Sequence, residues 1–145
     1  MLRLLRRTIP LVLLVSLAAC SSSGSCSSGI TFYVGDVAGS LKAGASLPVT
    51  ICFDGKCQVT TVKHAQPGGT VFLKFDGVGS AGDHTITVEA PGLKGEYTGP
   101  IDHFEQKSGD ASCALAAVKI GADGKVTAGR IPTTTTFAPT TTIKG

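Results

Sequence analysis

Ile51-Cys52-Phe53-Asp54-Gly55-Lys56-Cys57-Gln58-Val59 is the stretch that decides the fold of this chain. Asp54-Gly55 suits the two-residue type I′ turn of a β-hairpin, because both central positions of that turn take positive φ. With Asp54 and Gly55 as the loop, Phe53 faces Lys56 and Cys52 faces Cys57. The two cysteines then form a non-hydrogen-bonded pair, where side chains lie closest. A second Asp-Gly, Asp123-Gly124, reads the same way.

Outward from this hairpin, apolar residues alternate instead of recurring at helical spacing, and glycine or proline interrupts the chain every several residues. Candidate strands are Ile30 to Val34, Leu47 to Phe53, Cys57 to Lys63, Thr70 to Phe75, His84 to Ala90, Gly95 to Ile101 and Ala114 to Gly121, with Lys125 to Ala128 closing a last hairpin. Ser112 to Val118 carries three alanines but is too short to stand alone as a helix and runs into Val118-Lys119-Ile120, so a strand is preferred. About seven short strands within 30–130, the size of one small domain, predict an all-β sandwich.

The ends are of different composition. Arg3, Arg6 and Arg7 precede an apolar run from Ile9 through Leu17, closed by Ala18 and Ala19. This is the layout of a secretory signal, 1–19, too short to span a bilayer as a mature helix. Leu17-Ala18-Ala19-Cys20 resembles the lipobox of bacterial lipoproteins, in which the cysteine sulfur receives a diacylglycerol before cleavage. The resemblance implies that Cys20 becomes the lipidated first residue, with acyl chains such as palmitate holding the protein at the cell membrane, outside the cytoplasm. Residues 20–29 are a Ser/Gly stretch read as a tether. Residues 131–145 are rich in threonine and proline and read as a solvated tail.

Three of the 13 basic residues lie at positions 3, 6 and 7, which leaves 10 against the 10 acidic residues once the signal is removed. The pI near 8.7 therefore belongs to the precursor, and nucleic acid is excluded as an expected partner. Asparagine is absent, so there is no N-glycosylation sequon.

With Cys20 consumed by lipid, Cys26, Cys52, Cys57 and Cys113 remain, an even set in a compartment that permits disulfides. The hairpin geometry favours Cys52 with Cys57, leaving Cys26 with Cys113. The rival joins Cys52 or Cys57 to Cys113 across the two sheets, as in immunoglobulin-like domains, although the tryptophan that packs on such a bridge is missing.

No constellation announces chemistry. Gly77-Val78-Gly79-Ser80-Ala81-Gly82 matches a dinucleotide-binding string, but a strand pattern follows where a helix N-terminus is needed, so a glycine-rich connection is expected. Copper binding of the cupredoxin kind needs ligands clustered late in the chain, and no histidine follows Cys113. His64, His84 and His103 are scattered, and Asp102 and Glu105 have no positional argument as paired carboxylates. Cys52 and Cys57 lack the Cys-x-x-Cys spacing of a redox dithiol. No cofactor, metal or catalytic residue is expected.

Val49 through Cys57, Asp83-His84-Thr85-Ile86-Thr87-Val88 and Val118 through Val126 resemble actinobacterial lipoproteins with a transthyretin-like or carboxypeptidase-regulatory-like sandwich. The expected architecture is thus a small immunoglobulin-like or transthyretin-like β-sandwich of about seven strands. The expected function is that of a lipid-anchored, non-catalytic cell-envelope module that binds another envelope protein or glycan. The alternatives are a small-ligand or metal carrier using His64, His84 or His103 in a pocket between the sheets, and an exported hydrolase with a site the sequence does not reveal.

Overall fold

The computed structural model describes residues 25–128. Cys20, the signal and the Thr/Pro tract lie outside the described residues. Nine strands form: β1 (Gly29–Tyr33), β2 (Ser46–Phe53), β3 (Lys56–Lys63), β4 (Thr70–Lys74), β5 (His84–Ala90), β6 (Leu93–Gly99), β7 (His103–Ser108), β8 (Ala111–Ile120) and β9 (Val126–Ala128). A short helix, α1 (Gly35–Ser40), follows β1. One sheet runs β4-β1-β8-β7, with β9 also paired to β8, and the other runs β3-β2-β5-β6. The protein is an all-β sandwich.

The hairpin at Asp54-Gly55 forms as its sequence requires. Cys52 pairs with Cys57 and Phe53 with Lys56, while Asp54 and Gly55 have φ of 47° and 81°. Alternation then sorts β2 cleanly: Val49, Ile51 and Phe53 are buried, and Thr50 and Cys52 face outward. The facing sheet contributes Ile30 and Phe32 from β1 and Ala114, Ala116, Val118 and Ile120 from β8 to the same core cluster. Each fully buried Ile, Val or Phe is worth about 1.5–3 kcal/mol of transfer free energy.

β8 organises its sheet. It runs parallel to β1 from Leu115 to Lys119, antiparallel to β7 along its first half and antiparallel to β9 at its end. The parallel pairing places the first strand beside the last long one. It also carries the segment before β1 alongside Cys113.

Three features go beyond or depart from the sequence reading. The nine strands among the described residues are the seven candidates, β9 as the expected closing hairpin strand, and β7, which was not anticipated. Its residues His103-Phe104-Glu105-Gln106-Lys107-Ser108 include none that is buried, so no apolar alternation marks it; the ladder to β8 makes it a strand. Helix α1 also escapes the pattern, being short and containing two glycines, yet Val37 and Ala38 are buried on the core. Finally, the Asp123-Gly124 turn is not type I′. Only Gly124 has positive φ, at 86°, while Asp123 does not. The Gly124 N–H donates to the Gly121 carbonyl at 2.9 Å and Asp123 Oδ1 accepts from the Lys125 N–H at 3.0 Å. This is the longer hairpin loop that ends on a left-handed glycine.

The sheets close on one another through a glycine. A Cβ added at Gly95 in β6 would collide with the backbone carbonyl of Gly124 in the β8–β9 turn. Only glycine allows that approach.

Candidate binding site

The outer face of the β4-β1-β8-β7 sheet is a trough rather than a polar plane. Register sets its shape: Thr31 in β1 lies between Phe72 of β4 and Ala117 of β8, and Leu115 of β8 lies between Gly29 and Phe104 of β7. The floor is thus made of small or medium residues and the walls of phenylalanine. Four strands at about 4.8 Å spacing make this face roughly 14 Å wide. The depression holds about 510 Å³ and is lined by Tyr33, Phe72, Phe104, Gln106, Leu115 and Cys26 among others, none of them charged.

Gly29 is part of the construction. The tip of the Phe72 ring occupies the space a Gly29 side chain would need, its Cε2 2.8 Å from where a Cβ would stand. An aromatic ring laid over a strand glycine covers backbone that would otherwise be open. Tyr33, Phe72 and Phe104 nevertheless remain 41%, 46% and 43% exposed. Among the described residues only Val59, on the opposite sheet, is another exposed large hydrophobic. Isolated exposed apolar side chains need no explanation, but three on one face are a patch of the kind that marks contact surfaces.

The cysteines fall into the two pairs that the hairpin geometry favours. Cys52 and Cys57 stand at disulfide distance with Cα atoms 3.9 Å apart, and Cys26 and Cys113 with Cα atoms 5.8 Å apart. The rival bridge across the two sheets is not formed. Cys26 to Ser28, read from sequence as tether, are held down. Besides the bond to Cys113, the Ser28 hydroxyl accepts from the Ala114 N–H at 3.0 Å and the Ser28 carbonyl accepts from the Phe75 N–H at 3.2 Å. The chain therefore leaves the sheet at Cys26, on the rim of the trough.

The histidines do not converge. His64 closes β3, where its Nδ1 donates to the Leu41 carbonyl at 2.7 Å. It borders a second hollow of about 430 Å³, together with Lys63 and the Gly44–Ser46 turn. His103 is exposed at the start of β7, beside Gly79. Nearby Ser112 donates its hydroxyl to the Glu105 carboxylate rather than to an imidazole. Among the described residues, no three His, Cys, Asp or Glu side chains gather closely enough to hold a metal ion. The space between the sheets, where a carrier would keep its ligand, is filled by the core cluster.

His84 has a structural post instead. It is 4% exposed and stacks on Phe53 with ring centroids 5.0 Å apart. Its Nδ1–H donates to Asp54 Oδ2 at 2.7 Å and its Nε2–H to the Ser80 carbonyl at 3.0 Å. Both partners are acceptors, so only the doubly protonated ring satisfies both. Asp54 Oδ1 also accepts from the Thr85 N–H at 2.8 Å. The Asp54 hydrogen bond raises the His84 pKa above its ordinary 6.5, against burial that lowers it, with the Ser80 carbonyl and the charges of Asp54 and Asp83 adding to the rise. Burial pushes Asp54 up, but the bonds from His84 and Thr85 and the His84 charge outweigh it and hold the carboxyl below 3.8.

The Gly77–Gly82 string, whose Ser80 carbonyl meets His84, has its own local geometry. It connects β4 to β5 as a loop, with Gly77 and Gly82 at φ of 82° and 105°, while a Cβ on Gly79 would stand 2.9 Å from that of Ala114. Its glycines serve turns and a close approach to β8.

Sequence reasoning singled out cysteines and histidines and missed the aromatic trough. A signal was present: Phe72 lies on the outward phase of β4, between the inward Val71 and Leu73, where alternation asks for a polar residue. Compared with protein-family models, with curated proteins and with solved structures, the chain finds no match.

Proposed function

We propose that this chain is a lipid-anchored, non-catalytic module of the cell envelope, held at the membrane through Cys20, and that the trough on the outer face of the first sheet is its contact surface. The observation that carries the reading is the concentration of Tyr33, Phe72 and Phe104 around one uncharged depression. The anchoring part rests on the cationic, apolar and small-residue sequence that ends in Cys20. The two cysteine pairs at disulfide distance suit an exported, oxidising setting. Among the described residues no helix is long and apolar enough to cross a membrane; in this reading the acyl chains on Cys20 hold the protein there. Two such chains hold firmly where one holds marginally.

Photo-crosslinking in intact cells tests the contact surface. A photoreactive side chain at position 72 or 104 is expected to form adducts with envelope components, and the same group at position 59 on the opposite sheet to form none. Equal yields from all three positions would remove the trough as the contact surface.

A further inference from the structure

We infer that the component met by the trough is the bilayer itself, so that the sandwich lies with the β4-β1-β8-β7 sheet against the membrane surface rather than standing away from it. The inference rests on the anchoring of Cys20 proposed above and adds an orientation to it.

Tether length is the first argument. Cys26 lies six residues after Cys20, and a fully extended chain covers at most about 3.3–3.6 Å per residue, so roughly 20 Å separates the lipid from Cys26 at most. A domain of this size is itself about 30 Å across. Because Cys26 is bonded to Cys113 and lines the trough, the tether starts from the trough side. The shortest approach to the bilayer brings that face down first, while Val59 and the Cys52–Cys57 pair on the outer face of the other sheet point away.

The chemistry of the face is the second argument. No charged side chain lines the trough, so it meets the headgroup boundary without stripping water from an ion. Tyrosine and phenylalanine side chains already half exposed to solvent gain by moving their apolar faces into that boundary, where aromatic side chains with a polar end are favoured. Two lysines share this face beside the trough: Lys119 is engaged with Asp36 at 3.0 Å, and Lys74, two residues along β4 from Phe72 and opposite Gly29, is exposed, where it can meet anionic headgroups.

The chain contains no tryptophan, which makes any single introduced tryptophan a unique reporter. The test uses full-length protein processed in a bacterium, purified in detergent and reconstituted into phosphatidylethanolamine–phosphatidylglycerol vesicles with or without brominated acyl chains. Phe72→Trp, Phe104→Trp and Val59→Trp are compared, with Tyr33→Trp as a further trough position should either phenylalanine variant fold poorly. Trough reporters are expected to lose about half of their emission to the brominated lipid and the Val59→Trp reporter almost none. The inference is overturned if the trough reporters stay as bright as Val59→Trp in protein whose Cys20 carries its acyl mass, which is also the result if an envelope protein or glycan fills the trough. Protein recovered without acyl mass at Cys20 overturns the anchoring reading, and the orientation with it, before any quenching is measured.

Discussion

Replacing Cys26 by serine and Cys113 by alanine lowers the stability of the domain by about 4–5 kcal/mol, the value given by loop-closure entropy for a bond across 87 residues of sequence. Removing the Cys52–Cys57 bond, which spans a sequence separation of 5, costs about 2 kcal/mol on the same basis. The contrast is the useful part. None of the four cysteines belongs to the core cluster between the sheets, although Cys113 is itself buried, so the ratio reports mainly how much of the unfolded chain each bond constrains. In a domain of about 100 residues, the first loss lowers the melting temperature by about 15–25 °C. Denaturant titration of the two variants side by side checks the prediction, and equal losses would show that loop closure is not what the long bond contributes. The long bond also fixes where the tether leaves the sheet, so its removal frees the orientation of the trough together with the fold.

His84→Ala is the second large loss, about 2–4 kcal/mol. It empties a buried site stacked on Phe53 and leaves Asp54 and the Ser80 carbonyl without their donor. The pH profile of the unaltered protein carries the same information with a defined sign. Because the folded-state pKa of His84 is raised above 6.5, its contribution is complete below pH 6.5 and is lost as pH rises through the raised value. Because that of Asp54 lies below 3.8, its contribution is complete above pH 3.8 and is lost as pH falls through the lowered value. Stability from this pair is therefore greatest between about pH 4 and 6.5, and declines on the alkaline side. Chemical denaturation across pH 5 to 9 should show that decline in the unaltered protein and a flattened profile in His84→Ala. An identical slope in both would mean that another group titrates.

These contacts show where reading a sequence succeeds and where it stops. The β2–β3 hairpin was legible because turn chemistry, alternation and cysteine placement agree within nine residues, and the observed register has Cys52 opposite Cys57. Asp123-Gly124 misled because the dipeptide suits more than one hairpin loop, and its choice was settled by the Gly121 carbonyl and the Asp123 side chain. β7 was invisible because an edge strand without a buried face has no hydrophobic period to display. The Asp54–His84 pair joins residues 30 apart in sequence through the path of β5 beside β2. No local pattern encodes that contact.

The trough lies beyond local pattern for the same reason. Its walls come from positions 72 and 104, and its floor from 29–31 and 115–117, brought together by the parallel pairing of β1 with β8. Only its separate outward aromatic residues could be read in advance. Cys20 and the trough are independent observations, one from sequence and one from structure, and the position of Cys26 six residues after Cys20 links them.

The measurement that bears most directly on the whole account is the mass of the N-terminal peptide of the protein extracted with detergent from cells that make the full chain. Anchoring predicts a peptide that begins at Cys20 and carries a thioether-linked diacylglycerol. A peptide with a free Cys20 thiol, or a chain cleaved elsewhere and released without lipid, would contradict it.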